Sequence, residues 1–327
     1  MSGKKTARAH SNIALVKYWG KNQETLNTPA VGSISLTLDS LFTTTSVEFD
    51  ETLTADIILF DGSPAPANVS QRLSAFLDLI RQKADFTHYA RVETANNFPT
   101  AAGLASSASG FAALALASAN AAGLNLSSLE LSLLARRGSG SAARSVYGGY
   151  VEMNAGQNPD GSDSYAVQLY PETYWDLQML IAILSEQEKP IGSTEGMNRT
   201  KHTSPYYHAW VNTSQQDLAD MRDALKRQDF QKVGEITEQS CLKMHAVAMS
   251  AHPGIIYWHP ETLKIIHLVR QLRKDGVEAY FTIDAGPQVK VLCRAADATR
   301  IEKILNDEPA VSRVIACQTG PGAQLID

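Results

Sequence analysis

The chain has 327 residues, of which 44% are hydrophobic and 19% are charged, and its formal net charge is −5 at pH 7. This composition excludes a disordered or fibrous protein, and the length slightly favours two domains over one. The negative net charge argues against nucleic acid or an anionic membrane as the main partner. An anionic small ligand stays open, because a local group of cations can act against the overall charge.

Neither the cysteines nor the N-terminus carries a signal for export. Cys241, Cys293 and Cys317 are odd in number and widely separated, so they form no disulfide framework or metal-ligand spacing and are typical of idle thiols. The first ten residues are basic, but no apolar stretch follows them, which is unlike a signal peptide. The longest apolar run, at 111–122, is too short and too polar to span a bilayer. The sequence therefore predicts a cytoplasmic protein.

Short strands mixed with helices occupy the first half of the chain. Alternating or β-branched residues predict strands, and apolar residues at helical spacing predict helices. Gly123 would cap one helix, and Ser127-Ser128 with Glu130 would start the next. The first two predicted strands could pair as neighbours. In chain order, the predicted elements are strands at 33–38 and 43–49, a helix at 69–83, a strand entering a loop at 92–100, helices at 111–122 and 124–137, and strands at 146–153 and 177–184.

The pattern changes after Ser185, where long helices dominate. We therefore predict an N-terminal domain at 1–185 and a C-terminal domain at 186–327. Because strands in pairs are mixed with helices, without strict alternation, the sequence favours an α+β fold. The predicted elements of the second domain are helices at 217–227, 230–241 and 262–274, and strands at 280–283 and 289–292.

The most informative segment is Pro99-Thr-Ala-Ala-Gly-Leu-Ala-Ser-Ser-Ala-Ser109, which leads directly into a helix. Its small residues let the backbone approach a bulky anion, and the first turn of a helix offers unpaired N–H groups and a partial positive charge. Ser106, Ser107 and Ser109 add hydroxyl groups, and Ser107 is a candidate magnesium ligand. The segment lacks the lysine of a Walker motif, so it predicts a different kind of nucleotide site. Taken alone, it is equally compatible with a helix start that only packs tightly.

Three other segments place charged side chains beside turns. Asn12-Ile-Ala-Leu-Val-Lys-Tyr-Trp-Gly-Lys21 carries two lysines around an aromatic pair, and a strand ending in a turn would aim both into a cleft. Gly138-Ser-Gly-Ser-Ala-Ala-Arg144 is a second small-residue loop, whose guanidinium can hold a carboxylate bidentately. Asp284-Ala-Gly-Pro287 puts a carboxylate at a strand end, where catalytic residues often lie. The plainer interpretations are solvated lysines, a surface ion pair and an Asx-type turn.

Together these segments resemble the GHMP kinase superfamily and, within it, the mevalonate diphosphate decarboxylase family. The first loop matches the superfamily motif Pro-x-x-x-Gly-Leu-x-Ser-Ser-Ala, with Ala105 where most members have glycine, as in the decarboxylase branch. Residues 12–21 match the decarboxylase signature Asn-Ile-Ala-x-x-Lys-Tyr-Trp-Gly-Lys at every fixed position. Residues 138–149 resemble the family's second glycine loop, and 284–287 resemble the turn that carries its catalytic aspartate.

The resemblance runs from about residue 9 to the C-terminus and implies both a fold and a reaction. The fold is GHMP kinase-like with two domains, an N-terminal ribosomal protein S5 domain 2-like unit and a C-terminal ferredoxin-like α/β sandwich. The reaction is the ATP-dependent conversion of (R)-5-diphosphomevalonate to isopentenyl diphosphate, CO2, ADP and phosphate. Mg²⁺ would accompany ATP, and a homodimer is expected by analogy with the family.

The chemistry of that reaction assigns a role to each matched residue. Asp284 would act on the C3 hydroxyl as a base or an orienting group, and Arg144, supported by Asn12, would hold the C1 carboxylate. Lys17 would stabilise the transferring phosphoryl group. The expected substrate-binding residues are Tyr18, Trp19, Gly20, Lys21, Arg72, Ser139, Gly140, Ser141, Arg144, Ser193 and Thr194. The expected ATP-binding residues are Asn96, Pro99, Gly103, Leu104, Ala105, Ser106, Ser107 and Ser109.

Two positions depart from the family pattern and leave alternatives open. Val31 stands where typical decarboxylases have asparagine, which puts the substrate in question, and Thr194 stands where some bacterial relatives have arginine. The alternatives are a phosphomevalonate decarboxylase, a mevalonate 3-kinase and a non-catalytic binding protein of the same fold. The retained Asp284, Ser193 and Thr194 argue against the kinase, and a pure binding protein has no need for the aspartate.

Overall fold

The protein is an α+β structure, as predicted, and the computed structural model describes residues 3–98, 105–187 and 189–326. The strands are β1 (Lys5–Val16), β2 (Lys21–Gln23), β3 (Thr28–Pro29), β4 (Ser33–Asp50), β5 (Ile57–Phe60), β6 (Ser63–Pro64), β7 (Tyr89–Asn96), β8 (Tyr150–Met153), β9 (Ala166–Tyr170), β10 (Leu177–Ile183), β11 (Ala279–Thr282), β12 (Val289–Arg294), β13 (Arg313–Gln318) and β14 (Gln324–Leu325). The helices are α1 (Ala67–Ala84), α2 (Ser106–Ala121), α3 (Ser128–Gly138), α4 (Ala142–Ser145), α5 (Ser193–Thr203), α6 (Tyr207–Arg227), α7 (Phe230–Met249), α8 (Pro260–Lys274) and α9 (Ala295–Asn306).

The first sheet has eight strands and is organised around β4. Its strand order is β14-β1-β4-β7-β5-β6, and in addition β8 pairs with β4 and β9 pairs with β8. The prediction of two separate strands at 33–38 and 43–49 was wrong, because both belong to this one strand of 18 residues. Residues 39–42 contain no glycine or proline to form a tight turn. Strand β1 pairs with both halves, and the irregularity between them is absorbed by a register shift between His10 and Asn12.

Helix α2 packs against this sheet through small side chains. The alanines at 112, 113, 115 and 117 are all fully buried, and their small side chains let the helix approach β1 and β4 closely. A Cβ on Gly138, at the end of α3, would lie 2.0 Å from the Phe111 ring, so glycine is required there. The predicted cap signals are confirmed, with Gly123 at φ +77° and a capping box between Ser127 and Glu130.

The second sheet is antiparallel, in the order β11-β12-β10-β13. Strand β10, which the sequence predicts as a buried strand, lies between β12 and β13. Its buried residues face two cores, which explains why it is a continuous apolar run. The division near residue 185 stays a prediction, and the pairing of β10 with the second sheet favours a division just before β10.

One apolar core joins the two sheets. It includes Leu15 of β1, Leu36 of β4, Ile181 of β10, Met221 of α6 and Val233 of α7. Each fully buried side chain of this size contributes about 1.5–3 kcal/mol by removal from water. The shared core therefore fixes the two sheets relative to each other, and the ends of β1 and β11 meet at their junction.

Several other boundaries differ from the sequence prediction. The predicted strand at 146–153 begins only at Tyr150, and the second glycine loop contains the single helical turn α4. Helices α6 and α7 are longer than predicted. All three cysteines are buried and free, as expected. No helix among the described residues combines the length and the apolar character needed to cross a bilayer.

Candidate active site

A cavity of about 420 Å³ lies at the junction of the two sheets. The segment after β1, the first turn of α2, the loop before α4, the first turn of α5 and the turn after β11 all open onto it. The helix N-termini of α2 and α5 offer unpaired N–H groups to an anion. Its lining residues are Asn12, Ala14, Lys17, Tyr18, Trp19, Lys21, Asn27, Arg72, Ala105, Ser106, Ser107, Ser139, Gly140, Ser141, Arg144, Lys189, Gly192, Ser193, Thr194, Met197, Met244, Asp284 and Ala285.

The cavity is strongly cationic although the whole chain is negatively charged. Among the described lining residues, Asp284 is the one carboxylate, and the cations are Lys17, Lys21, Arg72, Arg144 and Lys189. Low-dielectric walls strengthen the field of such a cluster. The cavity is therefore suited to a small ligand with several negative charges.

Asp284 is held between two buried lysines. Lys17 Nζ lies 2.6 Å from Asp284 Oδ1, and Lys290 Nζ lies 3.4 Å from Oδ2. The lysine side chains are 1% and 0% exposed, whereas the Asp284 side chain is 24% exposed towards the cavity. Burial raises the pKa of Asp284, but the charges of Lys17 and Lys290, together with the hydrogen bond from Lys17, outweigh it and hold that pKa well below its usual range. Asp284 is thus a fixed, ionised acceptor at neutral pH.

Arg144 is fixed by its own hydrogen bonds. Its Nε donates to Asn12 Oδ1 at 3.0 Å, and its Nη1 donates to Ser33 Oγ at 2.6 Å. Asn12 in turn donates to Ser145 Oγ and to the Ser141 carbonyl. Burial lowers the pKa of Arg144 to about 10, against the opposing influence of Asp284, so the guanidinium stays charged. The plane of the guanidinium is therefore set before any ligand arrives.

A further part of the cavity wall is built around Lys21 and the start of α5. Lys21 Nζ donates to Asn27 Oδ1 at 2.7 Å and lies 3.5 Å from Thr194 Oγ1. Lys189 Nζ donates to Ser193 Oγ at 2.8 Å and to the Ala285 carbonyl at 3.2 Å. Two ammonium groups and a helix N-terminus thus converge on one region, as binding of a phosphate group requires.

A second cavity of about 350 Å³ adjoins the first across the start of α2. Arg72, Ser106 and Ser107 line both cavities. The rest of the second lining is mainly apolar and includes Val69, Leu73, Phe111 and Leu114, with Asn96 among its polar groups. An apolar slot opening onto a helix N-terminus fits a planar base joined to phosphates.

The sequence-predicted residues fall into three groups. Most of them line the first cavity, as the lining above shows, and Asn96 lines the second. Gly20 and Ser109 line neither. Gly20, at φ +95°, makes the turn between β1 and β2, and Ser109 lies on the buried face of α2, against the first sheet. Pro99, Gly103 and Leu104 lie outside the described residues.

Two protein-family models match the sequence of this chain. A model of diphosphomevalonate decarboxylase-like N-terminal domains matches residues 9–166, and a model of mevalonate 5-diphosphate decarboxylase C-terminal domains matches residues 179–325. The chain belongs to the diphosphomevalonate decarboxylase family. The gap between the two matches falls at 167–178, which again favours a domain division before β10.

Relatives and solved structures of the decarboxylase family match nearly the whole chain. The chain is 35% identical to diphosphomevalonate decarboxylase of Candida albicans, over 96% of this chain and 95% of the relative. The mevalonate diphosphate decarboxylase structures from Staphylococcus aureus and Enterococcus faecalis have TM-scores of 0.94 and 0.92 at 38% and 42% identity, and cover at least 99% of both chains. A structure of MDDEF in complex with MVAPP, AMPPCP and magnesium has a TM-score of 0.93 at 42% identity, with 99% coverage of both chains. The predicted GHMP kinase-like fold is confirmed.

The departure from the decarboxylase pattern at Val31 lies outside the cavity lining. Val31 is buried in an apolar cluster with Trp19, Tyr207, Trp210 and Met244. A polar side chain there would be removed from water among apolar neighbours. Valine at this position therefore leaves the polarity of the cavity wall unchanged.

Sequence reasoning missed Asn27, Lys189 and Lys290. Lys189 lies four residues before Ser193, which the resemblance assigned to the substrate, so its position offered a signal. Lys290 is the one buried charge in the strand Val289–Arg294, whose other charged residue, Arg294, is exposed, and a lysine in a buried strand is itself a signal of a charged partner. Asn27 offered no signal in the sequence, because its contacts to Lys21 and to the Arg137 carbonyl are visible only in the folded structure.

The position of Ser109 makes a testable prediction. Its hydroxyl lies 2.7 Å from Thr43 Oγ1 and 3.3 Å from Ser11 Oγ, and it is fully buried. We expect Ser109→Ala to lower the free energy of unfolding by about 1–3 kcal/mol, because buried partners lose a hydrogen bond. The matched variant Ser107→Ala, at the cavity, should raise the KM for ATP and leave stability nearly unchanged. Denaturant unfolding measures the effect on stability, and steady-state kinetics measure the effect on the KM for ATP. A raised KM for ATP with unchanged stability in Ser109→Ala would indicate that Ser109 contacts ATP directly.

Proposed function

We propose that this protein catalyses the ATP-dependent decarboxylation of (R)-5-diphosphomevalonate to isopentenyl diphosphate, CO2, ADP and phosphate. The observation that carries the proposal is the meeting of Lys17, Arg144 and Asp284 in one cationic cavity that adjoins a second, apolar cavity at the start of α2. Family membership over nearly the whole chain supports the same reaction.

The chemistry explains why this reaction needs such a site. A β-hydroxy acid does not lose CO2 and hydroxide together readily, since hydroxide is a poor leaving group. Transfer of the ATP γ-phosphoryl group to the tertiary C3 oxygen breaks the bond to ADP, passes the hydroxyl proton to Asp284 late in the step, and forms a good leaving group. As phosphate departs, positive character develops at C3, and the C1 carboxylate leaves as CO2 while its electron pair forms the new double bond.

Asp284 is assigned to the C3 hydroxyl, mainly as an orienting acceptor. Its pKa lies well below that of an efficient base at neutral pH. Phosphoryl transfer proceeds largely through a loose transition state, in which the attacking oxygen needs positioning more than early deprotonation. A fixed carboxylate that accepts the hydroxyl proton's hydrogen bond therefore suits this step.

Arg144 is assigned to the C1 carboxylate, and Asn12 positions Arg144. A guanidinium already held at Nε and Nη1 presents its remaining N–H groups without further loss of freedom. Lys17 is assigned to the charge on the transferring phosphoryl group. Tyr18, Trp19, Lys21, Arg72 and the start of α5 are assigned to the diphosphate end, where Lys189 adds a further cation.

ATP is assigned to the second cavity, with its phosphates at the start of α2 and towards Lys17. The residues described contain no cluster of three or more histidine, cysteine or acidic side chains that could hold a metal. Hydroxyls of Ser106 and Ser107 at the cavity edge instead fit Mg²⁺ that is bound mainly by phosphate oxygens. When bound, that ion would neutralise charge between the phosphates.

The assembly and location of the enzyme are part of the same proposal. A homodimer is proposed by analogy with the family, and the buried free thiols are compatible with a reducing cytoplasm. Light scattering at several protein concentrations would measure the mass, and a monomer throughout would remove the dimer from the proposal.

A single assay tests the function and its alternatives. The protein is incubated with ATP and Mg²⁺ and with mevalonate, its 5-phosphate or its 5-diphosphate, and CO2 and ADP are measured. We expect equal amounts of both products from the 5-diphosphate. CO2 from the monophosphate alone would indicate a phosphomevalonate decarboxylase, and ADP without CO2 would indicate a 3-kinase. Absence of both products with every substrate would indicate a binding protein.

A further inference from the structure

Lys290 is a fully buried lysine that the reaction described above does not use. It is the second residue of β12, opposite Thr282 of β11 and Ile181 of β10. Its side chain is 0% exposed and is not part of the cavity lining. Its ammonium group lies 3.4 Å from Asp284 Oδ2, whereas Lys17 contacts the other oxygen, Oδ1. Burial of an ammonium group in a sheet costs desolvation free energy, which must be offset by interaction with an anion or with hydrogen-bond acceptors.

The groups around Lys290 leave a simple charge pattern. Lys17 comes from the end of β1, Asp284 from the turn after β11, and Cys241 and His245 from α7. Burial raises the pKa of Cys241 to about 11 and lowers that of His245 to about 3, so both are neutral at pH 7. Their side chains contact the backbone of Ile283, next to Asp284. The cluster therefore holds two ammonium groups for one carboxylate, and the charge of the Arg144 guanidinium also acts on Asp284 from the cavity wall.

The two lysines differ in what they are able to reach. Lys17 lines the cavity, so an incoming phosphoryl group competes with Asp284 for its ammonium. Lys290 lies behind Asp284, where a ligand in the cavity does not contact it. If Lys17 were the single ion-pair partner of Asp284, its turn towards the phosphoryl group would leave a partly buried carboxylate unpaired and free to rotate about its side-chain torsion angles. Burial would then favour protonation of the carboxylate.

We propose that Lys290 is a positioning residue that anchors the second oxygen of Asp284, so that the carboxylate keeps its orientation and charge while Lys17 turns towards the transferring phosphoryl group. The role of Lys17 in this statement rests on the proposed function. The anchoring of Asp284 by Lys290 is a property of the resting protein and is measurable without turnover.

The first test compares Lys17→Met with Lys17→Met/Lys290→Met. Infrared spectra over a pH series report the protonated carboxyl of Asp284, which is assigned by its loss on Asp284→Asn. With Lys290 present, we expect Asp284 to stay ionised at neutral pH. Without it, the pKa of Asp284 should rise by at least about one unit, the usual effect of losing a charge at this distance. Equal pKa values in the two variants would overturn the proposal.

Lys17→Met/Lys290→Arg guards against a folding defect, because arginine keeps the charge and should keep Asp284 ionised. If the double methionine variant fails to fold, the Lys17→Met/Lys290→Arg variant still tests the proposal. Protonation of Asp284 at neutral pH in that variant would contradict anchoring by the charge at position 290.

The second test is kinetic and uses the single variant Lys290→Met. We expect kcat to fall about tenfold, the KM for ATP to stay unchanged, and the acidic limb of the kcat profile to move to higher pH, because the pKa of Asp284 rises. A purely structural role would lower the melting temperature without moving the pH profile. Lys303→Met, on the exposed face of α9, is the control. Absence of CO2 from the wild type would reject the proposed function, while the infrared test would still decide the role of Lys290.

Discussion

Replacing Asp284 with asparagine is expected to lower kcat for CO2 release roughly 10³-fold, within the range for loss of an acid–base or orienting group. Asparagine keeps the shape of the side chain but presents a neutral amide to Lys17 and Lys290, and it no longer offers two acceptors. ATP should still bind, since the second cavity does not include residue 284. Rates of ADP and CO2 formation, together with a nucleotide-binding titration, measure both effects. Turnover within tenfold of the wild type would remove Asp284 from the mechanism.

The same substitution should also affect stability in a pH-dependent way. It leaves two buried ammonium groups without their anion, which costs about 3–5 kcal/mol in comparable buried pairs. Because the pKa of Asp284 is lower in the folded state than in the unfolded state, its stabilising effect is present above about pH 4 and is lost as the pH falls further. The difference in unfolding free energy between wild type and variant should therefore narrow below about pH 4. Asp223→Asn, an exposed carboxylate on α6, is the matched control and should change neither rate nor stability appreciably.

Replacing Arg144 with lysine is expected to lower kcat/KM for the diphosphate substrate between about 10²- and 10³-fold, as for loss of a preorganised charged donor. Lysine keeps the charge, but one ammonium group does not replace the planar guanidinium that joins Asn12, Ser33 and the cavity. The KM for ATP should change little. Steady-state kinetics with each substrate varied in turn separate these effects.

A surface arginine provides the control for this second experiment. Arg227, at the end of α6, is 70% exposed and pairs with Asp223, and its change to lysine should leave kinetics unchanged. Loss of activity in Arg144→Lys with an unchanged melting temperature would support its place at the substrate carboxylate. An equal loss in both variants, or a normal rate with Arg144→Lys, would contradict it.

The sequence by itself determined the local features whose causes lie within a few neighbouring residues. The capping box at Ser127 and Glu130, the left-handed Gly123 and the apolar run of β10 follow from short-range rules, and all are present in the structure. The motifs at 12–21, 138–149 and 284–287 gave the family, because a chance match at so many fixed positions is improbable. Those same motifs named most of the residues that line the first cavity.

Only the tertiary structure decided features that depend on residues far apart in the chain. Strand β4 is continuous because β1 pairs along it, although the segment at 39–42 separates two strand-like patterns. Ser109, on the buried face of α2, forms a hydrogen bond with Thr43, and Lys290 lies beside Asp284 across the turn after β11. Lys17 contacts the same carboxylate although it is more than 260 positions away from Asp284 in the sequence. Hydrogen bonds and ion pairs act over a few ångströms in space and are independent of sequence separation. A motif therefore indicates which groups belong to a site, and the fold decides which of them face the ligand and which hold the others in place.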